Sequence, residues 1–185
     1  MRIYADFKMI WCGILLLVTS GCASVLDVDT SDPLVVNKAV EVERDTFKGI
    51  MYYRGPLVSN RGDAINNAPE VENIALYAST ERSLFTRYFL SITGYYDGDW
   101  LGFDQAYDSS GKKFHALSVK HKADCHLRCG YDEVLEIEFN RKYLDDHAKT
   151  GITMRLYGPS GAVSAPFTLP SGYIQGFLTS LNASL

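Results

Sequence analysis

Residues 95–108, YYDGDWLGFDQAYD, combine aromatic rings with carboxylates in one short segment. Flat aromatic faces beside carboxylates are typical of sugar-binding clefts, and carboxylates two positions apart can begin a calcium loop. A calcium loop of the EF-hand type also needs a glutamate at its far end, which this segment lacks. Tyr96, Asp97, Asp99 and Trp100 are therefore candidate ligand-binding residues. The competing interpretation, which we favour, is a strand that ends in an Asp-Gly turn with its aromatic side chains in the core.

A second segment, residues 121–129, places Cys125, Cys129, His121 and His126 within nine positions. Two thiolates and two imidazoles could bind zinc, although structural zinc sites usually join two separated ligand pairs. If the chain is exported, the cysteines instead form a disulfide. That bridge requires a turn, because four extended steps separate alpha carbons by roughly 13 Å and a disulfide spans at most ~7 Å. We favour the disulfide, which then closes a hairpin.

The remaining histidines and serines give no catalytic pattern. His115, His121, His126 and His147 lie in different local contexts without the spacing of metal ligands on one helix. The segment GPSGA, residues 158–162, is not the Gly-x-Ser-x-Gly turn of a serine hydrolase. The sequence therefore gives a hydrolase no support, and we expect neither a cofactor nor a resident metal.

The start of the chain has the features of a secretory signal. Arg2 and Lys8 precede an uncharged apolar run over residues 9–18, and small residues follow up to Cys22. As a helix the apolar run would reach about 15 Å, half of a ~30 Å hydrocarbon core, so it is too short for a permanent membrane span. Residues 1–21 are predicted to be a cleaved signal peptide.

The residues Thr19, Ser20, Gly21 and Cys22 resemble the lipobox of bacterial lipoproteins. The resemblance implies a diacylglycerol on Cys22 and cleavage just before it. In such families a residue other than aspartate after the cysteine, here Ala23, implies sorting to the outer membrane. The expected location is thus the bacterial cell envelope, with the chain anchored in the outer membrane through Cys22 and facing the periplasm. The lipid bilayer is the expected partner, and an envelope protein or glycan is a second candidate.

The composition fits one globular domain without affinity for nucleic acid. The 185 residues carry a formal net charge of −4, and no dense cluster of lysine and arginine is present. Residues 22–39 include an Asp-Pro pair and have no clean period, which predicts a lipidated N-terminus and tether. Residues 40–185 are long enough for a single β-rich domain with its own core.

Period-two alternation of apolar and polar residues predicts at least six strands. They are TFKGIMYYRG (46–55), ENIALYAS (72–79), TRYFLSITGYY (86–96), HALSVKHKA (115–123), EVLEIEFN (133–140) and GITMRLYG (151–158). The alternation puts Phe47 and Tyr53 on one face of the first strand, and Leu117, Val119, His121 and Ala123 on the apolar face of the fourth. The fourth and fifth strands flank the cysteines, so they are predicted to form an antiparallel hairpin. Lys120 and Lys122 would pair favourably with Glu136 and Glu138, but the sequence does not fix the register.

Two helices complete the predicted fold. Asn140 can cap a short helix after the strand Leu135–Phe139, and Gly151 can end it. Ser171 can begin a C-terminal helix whose apolar side, with Tyr173, Ile174 and Phe177, packs on the sheet. The fold class is mainly β (α+β), with an antiparallel sheet or sandwich of about six or more strands.

The ending LPSGYIQGFL, residues 169–178, and the cysteine-tipped hairpin are similar to uncharacterised proteobacterial lipoproteins, a resemblance that implies no activity. We therefore expect a membrane-anchored envelope lipoprotein with a non-catalytic binding or structural role. The alternative is a glycan- or peptide-binding module that uses residues 95–108. An envelope hydrolase is the third and least supported hypothesis.

Overall fold

The computed structural model describes residues 28–59, 69–81, 84–125 and 129–184. Only the backbone is described for Glu70, Asp124, Cys125 and Cys129. The elements in chain order are α1 (Pro33–Ala39), β1 (Glu41–Asp45), β2 (Ile50–Arg54), β3 (Val58–Ser59), β4 (Glu70–Glu81), β5 (Phe85–Asp97), β6 (Gln105–Asp108), β7 (Lys113–His115), β8 (Leu117–Cys125), β9 (Cys129–Phe139), α2 (Arg141–His147), β10 (Ile152–Tyr157), β11 (Phe167–Leu169) and α3 (Ser171–Ser184). Within these ranges, no helix combines the length and the apolar character that a bilayer span requires.

The strands form two antiparallel sheets. The larger sheet has the order β1-β2-β4-β5-β9-β8, with the short β3 paired to β4. The smaller sheet has the order β11-β10-β6-β7. Long β4, β5 and β9 form the centre of the larger sheet, and every strand pairs antiparallel to its neighbours. The predicted mainly β class with an antiparallel sheet is confirmed.

One hydrophobic core lies between the two sheets and α3. The alternate residues of the central strands that point inward, such as Ile74, Leu90 and Ile137, are fully buried. From the other side, α3 contributes Tyr173 and Phe177, which are also fully buried. The predicted packing of the C-terminal helix on the sheet is confirmed, because the hydroxyl of Tyr173 donates to the Pro56 carbonyl at 2.7 Å and accepts from the Leu76 amide at 3.1 Å.

Both predicted helix starts are present. Asn140 caps α2, since its Oδ1 accepts from the Tyr143 amide at 2.8 Å, and α3 begins at Ser171. Gly151 follows α2 with a φ of 80°, the left-handed conformation that glycine adopts without strain.

The helix α1 lies within residues 22–39, which were predicted to be a tether. The carboxylate of Asp32 accepts from the Leu34 amide at 2.8 Å, and Pro33 occupies the first turn, so α1 has a standard N-terminus. Val36 is fully buried and lies beside Gly176 of α3. The assignment of residues 22–39 to a tether is therefore wrong for α1. A seven-residue helix spans only two turns, so its sequence showed no clean helical period.

The first predicted strand is also corrected. Residues 46–49 form a turn between β1 and β2, and Phe47, expected on the buried face, is 102% exposed. Asp45 stabilises this turn through its side chain, which accepts from the amides of Phe47 and Lys48 at 3.0 and 2.9 Å. Tyr53, expected on the same face as Phe47, is buried as predicted.

The strand β8 lies at the edge of the larger sheet, and its predicted faces are wrong. Leu117 and Val119 are 55% and 46% exposed, and His121 and Ala123 are exposed as well. A bulge between Ser118 and Lys120 shifts the pairing with β9. Because an edge strand has a neighbour on one side only, its apolar residues are not covered as those of a central strand are.

The same bulge changes which residues face each other across the hairpin. Lys120 lies opposite Val134, and Lys122 lies opposite Asp132. The favourable pairs of these lysines with Glu136 and Glu138 are therefore not formed. Glu136 faces Leu117 instead, and Glu138 faces Phe89 of β5.

Candidate functional site

A row of paired residues crosses the solvent-facing side of the larger sheet. Residues that face each other in an antiparallel ladder project on the same side of the sheet. Following the register from β1 to β9, the row reads Glu41, Arg54, Tyr77, Phe89 and Glu138. It therefore places two adjacent aromatic rings between oppositely charged groups on the outside of the sheet.

The row borders a groove of about 630 Å³. A second row beside it contains Glu43, Tyr52 and Ser79, which also face each other in register. We call this surface the aromatic groove. Its lining residues are Glu41, Val42, Glu43, Tyr52, Tyr53, Arg54, Tyr77, Ala78, Ser79, Phe89 and Glu136.

Two arginines hold the aromatic rings of the row. The guanidinium of Arg54 lies 5.6 Å from the centre of the Tyr77 ring and pairs with Glu41 at 3.5 Å. The guanidinium of Arg87 lies 4.8 Å from the Phe89 ring and makes two hydrogen bonds of 2.9 Å to the carboxylate of Glu138. Those hydrogen bonds hold the pKa of Glu138 below its usual value. Each cation–π contact holds its ring beside a guanidinium on the outer side of the sheet.

The size and chemistry of the aromatic groove suit a small ligand. Ligand sites commonly enclose about 300 to 1,000 Å³ and combine apolar walls with a few polar groups. Three glutamates and one arginine line this groove, so its charge favours ligands with hydrogen-bond donors or positive charge over anions.

This surface was not predicted from the sequence. Its signal was nevertheless present, because Tyr52, Tyr77 and Phe89 occupy the outward positions of their strands, where polar residues are expected. Three outward aromatic residues are informative only once the strands that carry them are known to be neighbours.

The predicted ligand-binding residues of the 95–108 segment lie in two different environments. Tyr96 is 6% exposed, and its hydroxyl donates to Glu133 at 2.9 Å and accepts from the Leu101 amide at 3.3 Å. Burial, with the nearby Glu133 carboxylate, raises the pKa of Tyr96 well above its usual value. Phe103 packs edge-on against Tyr96 and is also buried. For these two rings the favoured interpretation, a contribution to the core, is confirmed.

The other predicted residues of this segment lie at the surface. Trp100 is 53% exposed and stacks on His121 of β8, with ring centres 5.7 Å apart. Asp97 and Asp99 are exposed, and Asp97 accepts a hydrogen bond from Tyr95 at 3.1 Å. The structure therefore does not bring Tyr96 and Trp100 onto one open surface.

A buried glutamate, Glu133 of β9, lies beside Tyr96 in the larger sheet. Glu133 is 1% exposed, and its Oε2 accepts the Tyr96 hydrogen bond while its Oε1 has no partner among the described residues. It borders an enclosed cavity of about 10 Å³ with Phe103 and Ser164, close to the smallest volume that holds one water. Glu133 is in phase with the inward-facing Leu135 of β9, which is the sequence signal for its burial.

The cysteine segment is described in part. The backbones of Cys125 and Cys129 face each other at the end of the β8–β9 hairpin. Their side chains, and the whole of His126, lie outside the described residues, as does Cys22. Among the side chains that are described, no three of histidine, cysteine, aspartate and glutamate cluster as metal ligands would. The disulfide and the acylation remain predictions.

Comparison with known protein families, with curated proteins and with solved structures finds no match to this chain.

Proposed function

We propose that this protein is a lipid-anchored lipoprotein of the bacterial envelope whose domain binds a ligand in the aromatic groove without transforming it. The observation that carries the binding role is the row from Glu41 to Glu138, in which two half-buried aromatic rings lie between charged groups. The lipobox-like residues before Cys22 support the anchoring and the location in the outer membrane.

The chemistry of the groove favours a glycan as the ligand. The faces of Tyr52, Tyr77 and Phe89 can stack on the apolar faces of sugar rings. The carboxylates of Glu43 and Glu136 can accept hydrogen bonds from hydroxyl or amino groups. An envelope glycan with amino groups offers both features, whereas a polyanion would be repelled.

The surface around Trp100 is a second candidate site for the same kind of ligand. Its indole is half exposed and held by stacking on His121. Trp100 belongs to the segment 95–108 that was predicted as a glycan site, as do the exposed Asp97 and Asp99.

A titration with soluble cell-wall glycan fragments separates the two sites. Binding is followed by NMR chemical-shift changes of the isotope-labelled domain. Tyr77→Ala removes a half-buried ring of the groove, and Trp100→Ala is the matched variant that removes the exposed ring of the second site. We expect Tyr77→Ala to weaken binding by about tenfold or more, the effect of losing ~1.4 kcal/mol of contact, and Trp100→Ala to leave it unchanged.

Either of two results would contradict the groove assignment. The reverse pattern, with weakened binding only in Trp100→Ala, would move the site to the Trp100 surface. Unchanged shifts throughout the titration would show that glycan fragments are not ligands of this domain.

Acylation is tested by labelling cells with radioactive palmitate. The wild-type chain should incorporate label and fractionate with the outer membrane, whereas Cys22→Ser should remain unlabelled. Equal labelling of both chains, or of neither, would overturn the anchoring at Cys22 and would leave the glycan titration unaffected.

Export also predicts an oxidised Cys125–Cys129 pair. Alkylation of the purified protein without reductant should add no mass at either cysteine, and alkylation after reduction should modify both. Modification without reductant would show free thiols and would reopen the zinc interpretation.

A further inference from the structure

Three exposed apolar side chains gather at one end of the larger sheet. Phe47, Leu84 and Phe85 are 102%, 84% and 76% exposed, the highest values among the large hydrophobic residues that the structure describes. Phe47 lies in the turn between β1 and β2, and Leu84 and Phe85 lie where the chain turns from β4 into β5. We call these three residues the apolar tip.

The register places the two turns side by side. Ile50, which follows the first turn, pairs with Glu81, and Glu81 pairs with Phe85. Adjacent strands lie about 4.8 Å apart, so the two turns are separated by only one or two strand spacings. Their apolar side chains therefore form one protruding patch.

The backbone of the tip is held firmly. The carboxylate of Asp45 accepts from the amides of Phe47 and Lys48, and the Gly49 amide donates to the Asp45 carbonyl at 2.9 Å. On the second turn, the Leu84 amide donates to the Glu81 carbonyl at 2.9 Å. The exposure of Phe47 and Leu84 is thus fixed by hydrogen-bonded turns.

We propose that the apolar tip inserts into the interfacial region of the bilayer that carries the lipid anchor. This inference rests on the anchoring proposed above. A convex patch of separate protruding side chains has no preformed partner surface, and a bilayer interface accepts such side chains without a matching pocket. The contact is driven by burial of the three exposed apolar side chains of the tip.

The length of the N-terminal chain permits this orientation. Asp29 and Asp32 are joined by a backbone hydrogen bond of 3.3 Å, so the part of the chain that can extend is the six steps from Cys22 to Val28, which can span about 20 Å. The Ser31 carbonyl contacts Gly172, next to Tyr173, whose hydroxyl binds the Leu76 amide. Leu76 precedes the end of β4 by five residues, or about 17 Å. The anchor can therefore reach the plane of the tip.

The opposite end of the sheet supplies an internal control. Trp100 stacks on His121, which is level with Gly94 of β5 through Glu133, so it lies nine strand residues, or about 30 Å, from Phe85. The chain contains two tryptophans, Trp11 and Trp100, and removal of the predicted signal peptide leaves Trp100 alone. A Phe47→Trp, Trp100→Phe variant moves the single fluorophore to the tip.

The acylated protein is reconstituted into vesicles of phosphatidylethanolamine with a minority of phosphatidylglycerol, with or without brominated acyl chains. We expect the tip tryptophan to shift to shorter wavelength and to lose most of its fluorescence to the bromines, at low and at high salt alike. The wild-type protein, with Trp100 as its reporter, should show neither change.

The outcomes are distinct. Membrane-bound, palmitate-labelled protein with an unquenched tip tryptophan, or with a quenched Trp100, overturns the insertion and leaves the anchoring intact. If the protein incorporates no palmitate and the tip tryptophan is nevertheless quenched when the protein is mixed with vesicles, the insertion is supported and the anchoring is overturned. If Phe47→Ser dissociates an oligomer and the tip tryptophan is not quenched, the tip binds a second copy of the chain. That result also overturns the insertion.

Discussion

At the scale of single residues, Asp108 is the most fully bonded carboxylate that the structure describes. It is 7% exposed, and its Oδ1 accepts from the amides of Ser110 and Lys112 and from the Ser110 hydroxyl at 2.6 to 2.9 Å. Its Oδ2 accepts from the Tyr143 hydroxyl at 2.8 Å. Burial disfavours the charged form, but these hydrogen bonds outweigh it and hold the pKa of Asp108 below its usual value. The carboxylate thus joins the β6–β7 turn to α2.

Replacing Asp108 with asparagine should destabilise the fold by about 2 to 3 kcal/mol at pH 7, because an amide group then faces hydrogen-bond donors. A carboxyl whose folded pKa is lowered stabilises the protein above its unfolded value of about 3.9, and that contribution is lost as the pH falls through the folded pKa. The difference between wild type and Asp108→Asn should therefore shrink at pH 3. Urea unfolding at both pH values measures it.

Asp146→Asn is the matched control for this experiment. Asp146 is exposed and pairs only with Lys142 on the surface of α2 at 2.7 Å, so its replacement should cost less than about 1 kcal/mol. Equal unfolding midpoints for the two variants at pH 7 would show that the bonds to Asp108 contribute no more than a surface ion pair.

At the scale of elements, the contact between α1 and α3 depends on two glycines. A side chain at Gly172 would meet the carbonyl of Ser31, and one at Gly176 would meet the Pro33 carbonyl and lie 2.7 Å from Cβ of Val36. In the sequence these glycines only weaken a predicted helix, since glycine costs about 1 kcal/mol relative to alanine there. In the structure they let the two backbones approach closely.

Gly176→Ala should therefore destabilise the protein even though alanine is the better helix former. Overpacking against a neighbouring backbone costs about 1 to 3 kcal/mol, which exceeds the helical gain. Thermal and urea unfolding measure the net effect. Thr179→Ala on the exposed side of α3 should change stability by less than about 0.5 kcal/mol, and a stabilised Gly176→Ala variant would mean that α1 can move aside at little cost.

At the scale of the whole molecule, the packed domain begins before the boundary expected from the sequence. Val36 is fully buried between α1 and α3, so α1 belongs to the same core as the sheets. A chain that begins at Val40 should consequently be less stable than one that begins at Val28, by at least the ~2 kcal/mol of one buried aliphatic side chain. Equal urea midpoints for the two chains would place α1 outside the cooperative unit.

The three surfaces of interest lie on different parts of this molecule. The aromatic groove occupies the outer side of the larger sheet, Trp100 lies beyond one end of β5, and the apolar tip lies at the other end. If the tip faces the bilayer, the groove lies along the side of the sheet and remains open to solvent. Anchoring and ligand binding can then occur together.

The sequence by itself determined the local elements. Alternation located the central strands, the cap Asn140 located the start of α2, and Ser171 located the start of α3, of which it is the first residue. The burial of Leu135, Ile137 and Phe139 followed from the same alternation, because side chains in a strand alternate between its two faces. The mainly β class with a C-terminal helix on the sheet follows from these local patterns.

Only the tertiary structure decided which elements are neighbours. Alternation in one strand cannot show that Tyr77 lies between Arg54 and Phe89, or that β8 is an edge with exposed Leu117. These properties depend on the order of the strands and on what covers each face, which are set by contacts between residues distant in the chain. The anchor prediction lies in the first residues of the sequence, whereas the groove and the tip exist only because the strands assemble in this order.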